Sequence, residues 1–380
     1  MARHEQQQRT NLLSEAEGTV LVERRKELPV GWYHQIVSGQ RRGPVAAALR
    51  SFFRVVSIGY GWAVRYRNWR FDTGRAKVHR LPTPVVSVGN LTLGGTGKTP
   101  MAAWLAKWFS DHHLRVGVIS RGYKAPRRGA SDEAQELQWQ LPGLVHVEDP
   151  DRVRAAWIAI RHFQCQILVA DDAFQHRRLA RDLDVVLVDA GEPLGFGHLF
   201  PRGLLREPIS ALRRADVVVL SRSDMVSATR RAELRQQLLS HAPQANWAEA
   251  VHAPVVLVNA LGQTAAVGAL AGRPVAAFCG IGRPEGFLYT LQQCNYCLVD
   301  FWPLPDHAPY DARQLARLDA WARRLQVDAV LCTMKDLTKI PLTELGGRPL
   351  WALRIGLRLL EGQQELEERL VQLVAKARGA

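Results

Sequence analysis

With 380 residues, 47% of them apolar, the chain can bury a large core and is long enough for two domains, which excludes a disordered or fibrous protein. Five cysteines are too few for a disulfide scaffold, and Cys294 and Cys297 have no second Cys or His pair at zinc-finger spacing. A formal charge of +14 implies an acidic partner: nucleic acid, an anionic membrane or a phosphorylated substrate.

Residues 1–42 open with a polar, mixed-charge stretch that lacks the basic-then-apolar order of a secretory signal, and they are expected to form a poorly ordered extension. Residues 43–83 differ in kind. Val45, Leu49, Phe52, Phe53, Val56 and Tyr60 recur at helical spacing, with Arg50, Arg54, Ser57 and Gly61 opposite them. Arg65, Arg67 and Arg70 follow, interleaved with Tyr66, Trp69 and Phe71. The pattern is an amphipathic helix with a basic flank, read as a membrane-associated segment, with packing of its apolar arc on the core as the alternative.

From residue 84, short β-branched runs alternate with helical segments, the signature of a parallel sheet with crossover helices. The runs are 84–88, 115–120, 166–170, 184–190 and 216–221, then a second set at 254–260, 274–281, 297–302, 329–334 and 350–357. The reading is a P-loop-type α/β domain over 84–250 and a smaller α/β domain over 251–380. The uncharged stretch 253–272 is broken by Pro254, Asn259 and three glycines, so it reads as strand, turn and short helix rather than a membrane span.

The strongest local motif is VVSVGNLTLGGTGKTP, a strand running into a glycine-rich loop that opens a helix. Glycines let backbone N–H groups approach phosphate oxygens, Lys98 adds a point charge and the Thr99 hydroxyl can ligate Mg²⁺. Thr92 stands where the Walker A pattern has its first glycine; Thr96, Gly97, Lys98 and Thr99 complete it. ILVADD supplies the acidic strand end, Asp171 and Asp172, that a metal–nucleotide site needs. Ser221-Arg222-Ser223-Asp224 has only the last residue of the guanine-reading Asn-Lys-x-Asp pattern and reads as a capped loop.

In chain order, SVGNLTLGGTGKTP, ISRGY, DDAFQHRRLARDLDVVLVDA, LLREP, CGIGRPEGF, PDHAPY and TMKD resemble the successive signatures of the tetraacyldisaccharide 4′-kinase family, across roughly residues 43–360. The resemblance implies a P-loop kinase that moves the γ-phosphoryl group of ATP to the 4′-hydroxyl of tetraacyldisaccharide 1-phosphate. Such an enzyme, peripheral on the cytoplasmic face of the bacterial inner membrane, uses ATP and Mg²⁺ and meets a lipid-linked disaccharide at an anionic surface. By residue, it implies Asp132 and His307 in catalysis, Thr96 to Thr99 on ATP, and Thr99, Asp171, Asp172 and Glu133 around the metal. Arg121, Arg152, His176, Arg206, Glu207 and Asp306 are implied as substrate or phosphate contacts. A sugar hydroxyl titrates far above neutrality, so a histidine base oriented by a carboxylate suits the transfer. The alternative is a P-loop switch or chaperone-like NTPase, which explains the loop but not the basic helix or PDHAPY. No helix-turn-helix, zinc-finger or RNP pattern supports nucleic-acid binding, and no obligate protein partner is expected.

Overall fold

Every residue of Val85–Asn90 and of the five-residue runs at Val116–Ser120 and Val217–Ser221 is buried, as expected for strands covered by helices on both faces. The computed structural model describes residues 32–122, 132–306 and 308–379, except the side chains of Asp132, Glu133 and Glu136. Most of the expected N-terminal extension, residues 1–31, lies outside the described residues. Its last part forms a short helix α1 (Trp32–Val37), whose Ile36 and Val37 are buried and whose Tyr33 hydroxyl donates to the carbonyls of Pro201 and Gly203.

Next come α2 (Pro44–Asp72), β1 (Val85–Asn90), α3 (Lys98–Asp111), β2 (Val116–Ser120), α4 (Asp132–Gln140), β3 (Val145–Glu148), α5 (Arg152–Phe163) and β4 (Ile167–Ala170). The chain continues through β5 (Leu183–Asp189), β6 (Val217–Ser221), α6 (Ala228–Leu239), β7 (Asn246–Val258) and β8 (Thr264–Ala265). The remainder is β9 (Pro274–Cys279), α7 (Pro284–Gln293), β10 (Cys297–Pro303), α8 (Ala312–Arg323), β11 (Ala329–Thr333), α9 (Met334–Leu337), β12 (Glu344–Leu345), β13 (Arg348–Glu361) and α10 (Gln363–Arg378).

All strands join one 13-stranded sheet with the order β10-β9-β11-β13-β7-β6-β5-β1-β4-β2-β3, β12 and β8 adding to β13 and β7. The seam is β7. Its first residues pair parallel with β6 as far as Ser221 and Ala250, and it then runs on to pair antiparallel with β13. Because β9, β10 and β11 run parallel to β13, their carboxyl ends point back toward the carboxyl ends of β1, β4, β5 and β6. Two sets of strand ends therefore face each other, where α/β sheets hold ligands.

The boundary expected at 250/251 falls inside β7, a single strand. The last helix also crosses it: Leu366, Leu370, Leu373, Val374 and Ala377 of α10 pack with Met101, Leu105 and Phe109 of α3 in the first core. Apolar spacing shows that α10 has a buried face but not which core receives it.

Helix α2 turns only a narrow face to the core. Ser57 and Gly61, assigned to the polar face, turn inward with Ala46 and Val64, while Val45, Phe52 and Val56 are exposed and Phe53 and Tyr60 are half-buried. The exposed set includes Val55, Ile58, Trp62, Tyr66 and Trp69 as well. Small and polar residues allow close approach: Ser57 Oγ bonds Leu199 O at 2.9 Å, and a Cβ on Gly61 would lie 3.0 Å from Leu199 Cδ1. Glu207, expected as a substrate contact, is instead fully buried against this helix. Its carboxylate takes Arg67 Nη2 at 2.7 Å, Asn68 Nδ2 at 3.0 Å and Arg214 Nη2 at 2.9 Å, and so anchors α2 to the core.

Candidate active site

Strand β1 delivers the glycine-rich loop, and two of its glycines hold backbone that other residues resist. Gly94 has φ 114° and Gly97 φ 87°. A Cβ on Gly97 would also stand 2.6 Å from His252 Nε2 on β7. That nitrogen is buried with no hydrogen-bond partner among the described residues, and burial, then Arg222, pushes its imidazole down to about 3 and keeps it neutral. Helix α3 begins at Lys98, so its free N–H groups and positive end face the loop. Thr96 is buried, with its Oγ1 unpartnered among the described residues.

Strand β4, hydrogen-bonded to β1, runs directly into the two aspartates. Asp171 is 4% exposed, and its Oδ2 lies 3.4 Å from Thr99 Oγ1, its Oδ1 accepting the Asp172 N–H at 2.8 Å. Asp172 adopts φ 48°, which swings its carboxylate to Lys98 Nζ at 3.6 Å and Arg206 Nη1 at 2.9 Å. Burial raises its pKa, but Lys98, Arg206 and Arg152 outweigh that and leave it below the usual carboxylate range. Arg152, 5% exposed, donates to the carbonyls of Asp171 at 3.1 Å and Asp172 at 2.7 Å, clamping the strained turn from behind. His176 closes the same turn by donating its N–H to Ala173 O; burial first and Arg152 second push its ring to about 4.

The expected residues thus divide. Thr96, Gly97, Lys98, Thr99, Asp171, Asp172, Arg152 and Arg206 converge at the carboxyl ends of β1 and β4, with His176 in the adjoining turn. Arg121 follows β2 directly, with its side chain exposed and its charge felt by Arg152. Asp132 and Glu133 open α4, whose Leu137 packs in the first core and whose Trp139 packs against the second, so the helix spans the two sets of strand ends; their side chains lie outside the description. His307 is also outside the described residues. Its neighbour Asp306 lies 3.5 Å from Lys335 Nζ of TMKD.

Sequence reading missed a further group. Asp189, the last residue of β5, is 1% exposed and ion-paired to Arg222 and, at 2.8 Å, to Arg283 Nη1. Arg222 Nη2 also donates to Gly95 O at 3.0 Å. The available signal was an aspartate ending a buried apolar strand, the same signal that marked Asp171. Among the described residues, no group of three His, Cys, Asp or Glu forms a metal cage. The oxygen donors Thr99 Oγ1 and Asp171 Oδ2 beside a phosphate loop nevertheless fit Mg²⁺, which takes few protein ligands and shares the rest among phosphates and water.

Comparison with known proteins points to one family. A family model described as tetraacyldisaccharide-1-P 4′-kinase matches residues 49–375. A tetraacyldisaccharide 4′-kinase of Anaeromyxobacter dehalogenans (strain 2CP-C) is 37% identical over 350 residues, 87% of this chain and 92% of that protein. One from Geobacter sulfurreducens is 35% identical over 327 residues, 82% and 90% of the two chains. The crystal structure of LpxK from Aquifex aeolicus in complex with ATP superposes with a TM-score of 0.68 at 27% identity, covering 86% of this chain and 99% of that one.

Proposed function

This chain belongs to the tetraacyldisaccharide-1-P 4′-kinase family, and from that premise we propose how its residues perform the reaction. It is an ATP-dependent kinase of lipid A biosynthesis that transfers the γ-phosphoryl group of ATP to the 4′-hydroxyl of tetraacyldisaccharide 1-phosphate. The observation that carries the residue assignment is the convergence of Lys98, Thr99, Asp171, Asp172 and Arg206 at one loop.

Phosphoryl transfer asks a protein mainly to align two oxygens and neutralise the charge between them. The backbone from Gly94 to Thr99 cradles the β- and γ-phosphates, and Thr96 Oγ1 offers a donor to the same oxygens. Lys98 and Arg206, both held by Asp172, place positive charge where the transferring group becomes most exposed. Thr99 and Asp171, with Glu133, would hold Mg²⁺, which when bound neutralises phosphate oxygens. Asp171 is the metal-side carboxylate because its Oδ2 faces Thr99, whereas both Asp172 oxygens are engaged by Arg206. His307 takes the 4′-hydroxyl proton as the O–P bond forms, and Asp132 fixes its tautomer and stabilises the imidazolium. Arg121, Arg152 and Asp306 keep the phosphate and substrate contacts that the family resemblance implies for them.

The acceptor's acyl chains belong in a bilayer, and the outer face of α2 meets that need. Phe52, Val55, Trp62 and Tyr66, each more than 60% exposed, form one apolar stripe flanked by Arg54, Arg65 and Arg70. Among the described residues no helix is long and apolar enough to cross a membrane. On this reading the stripe and its arginines hold the protein peripherally at an anionic surface, and the lipid A reaction assigns that surface to the cytoplasmic face of the inner membrane. The test is incubation of purified protein with labelled ATP, Mg²⁺ and tetraacyldisaccharide 1-phosphate in mixed micelles. Label should appear in a lipid product and vanish on chelation with EDTA. Phosphate release without lipid labelling would favour an NTPase switch.

A further inference from the structure

The assignments above leave a pair of arginines unused on the other side of the phosphate loop. Lys98 reaches toward Asp172, beyond β4, whereas Asp189 ends β5, the strand on the opposite side of β1. On Asp189 sit Arg222, from the turn after β6, and Arg283, from the turn that leads β9 into α7. Two guanidiniums with side chains only 13% and 15% exposed thus share one carboxylate. Glu285 and Glu192 act on Arg283 from farther away, and Asp224 with Glu285 on Arg222. Burial first, and the neighbouring Arg283 second, push Arg222 down to about 10. One carboxylate cannot use all the donors of two guanidiniums, so N–H groups remain for an added anion.

Both arginines lie against the loop that binds such an anion. Arg222 donates to Gly95 O, and a Cβ built on Gly94 would stand 4.0 Å from Arg283 Nε. Arg283 comes from the far side of the β7 seam, so it crosses between the facing strand ends to arrive there.

We propose that Arg283 is an arginine finger supplied in cis by the C-terminal half, held beside Gly94 by Asp189 and Arg222 and engaging the terminal phosphate of the bound nucleoside triphosphate. It shares with the kinase assignment only the premise that the loop binds ATP. A planar guanidinium can grip two phosphate oxygens at once, and a cation placed there neutralises charge that develops during transfer. Arg283 is a catalytic residue on this account; Asp189 and Arg222 are positioning residues.

The experiment compares ATP and ADP affinity by calorimetry, and lipid phosphorylation, in wild type, Arg283→Ala, Arg283→Lys and Arg283→Gln. A terminal-phosphate contact weakens ATP binding about 10-fold or more in the alanine and glutamine variants while leaving ADP within about 2-fold, and lowers kcat by about 10²-fold or more. Lysine recovers ATP binding but not rate, because it cannot span two oxygens. Glutamine keeps a hydrogen bond to Asp189, so it reports on charge if the alanine variant fails to fold. Equal weakening of ATP and ADP, or no change in either, overturns the proposal. A protein that discriminates ATP from ADP through Arg283 yet labels no lipid would sink the kinase assignment and leave this one standing. An active kinase indifferent to Arg283→Ala would do the reverse.

Discussion

Lys98 and Thr99 are adjacent in sequence but meet different aspartates, and that division makes their losses distinguishable. Lys98→Ala removes the charge beside Asp172, and Thr99→Ala removes the oxygen facing Asp171. Each should lower kcat/KM by at least about 10²-fold, the Thr99 variant alone recovering partly as Mg²⁺ is raised. Titrating Mg²⁺ in both variants is the check; recovery in the Lys98 variant would reverse the assignment. Asp132 and His307, proposed as orienting carboxylate and base, call for a double-mutant cycle, because such a pair acts as one unit. His307→Ala should lower kcat by about 10²-fold or more with ATP affinity unchanged, Asp132→Asn should resemble it, and the double variant should be little worse than either. Strictly additive losses would mean that the two residues work separately.

At the scale of one element, α2 shows how a narrow, partly polar face can dock a helix and leave its apolar arc outside. Its buried side is Ala46, Ser57, Gly61 and Val64, narrow and partly polar, because Ser57 Oγ, Tyr60 Oη and the Arg67–Glu207 pair all have partners on the core. Its apolar bulk is left outside. Phe52→Asp/Trp62→Asp should therefore release the protein from anionic vesicles while leaving its melting temperature and ATP binding unchanged. Wild-type binding should weaken as salt rises, since each arginine near an anionic surface adds about 1 kcal/mol that falls away within a Debye length. Co-sedimentation with vesicles and thermal melts, run side by side, decide the matter. If the variant melts early and still sediments, the stripe is not the contact.

Across the whole molecule, α10 ties the end of the chain to the phosphate-loop core. Leu366 and Leu370 are fully buried beside Met101 and Leu105, on the helix that begins at Lys98. Leu370→Ala should cost about 2–5 kcal/mol of stability, the range for opening a cavity at such a site. Deleting residues 363–380 should abolish folding of the first half rather than merely trim the second. Denaturant unfolding measures the first effect and soluble yield the second; a stable truncated protein would show that α10 is dispensable to this core.

The phosphate loop, the aspartate pair and most of the strands were legible in the sequence, because each rests on local rules. Buried parallel strands need unbroken β-branched runs, and a phosphate cradle needs glycines before Lys98. Strand β3 and the first half of β7 escaped notice because polar residues such as His146 and Glu249 interrupt their apolar runs, each meeting a partner far away in sequence, Ser120 or Arg231. Only the tertiary structure decided that Glu207 anchors α2, that β7 makes one sheet of two expected domains, and that α10 returns to the first core. It alone brought Arg283 to Gly94. The physical reason is common to all four: helical spacing and charge say that a side chain needs a partner, but the partner is chosen by register and packing between segments far apart in the chain.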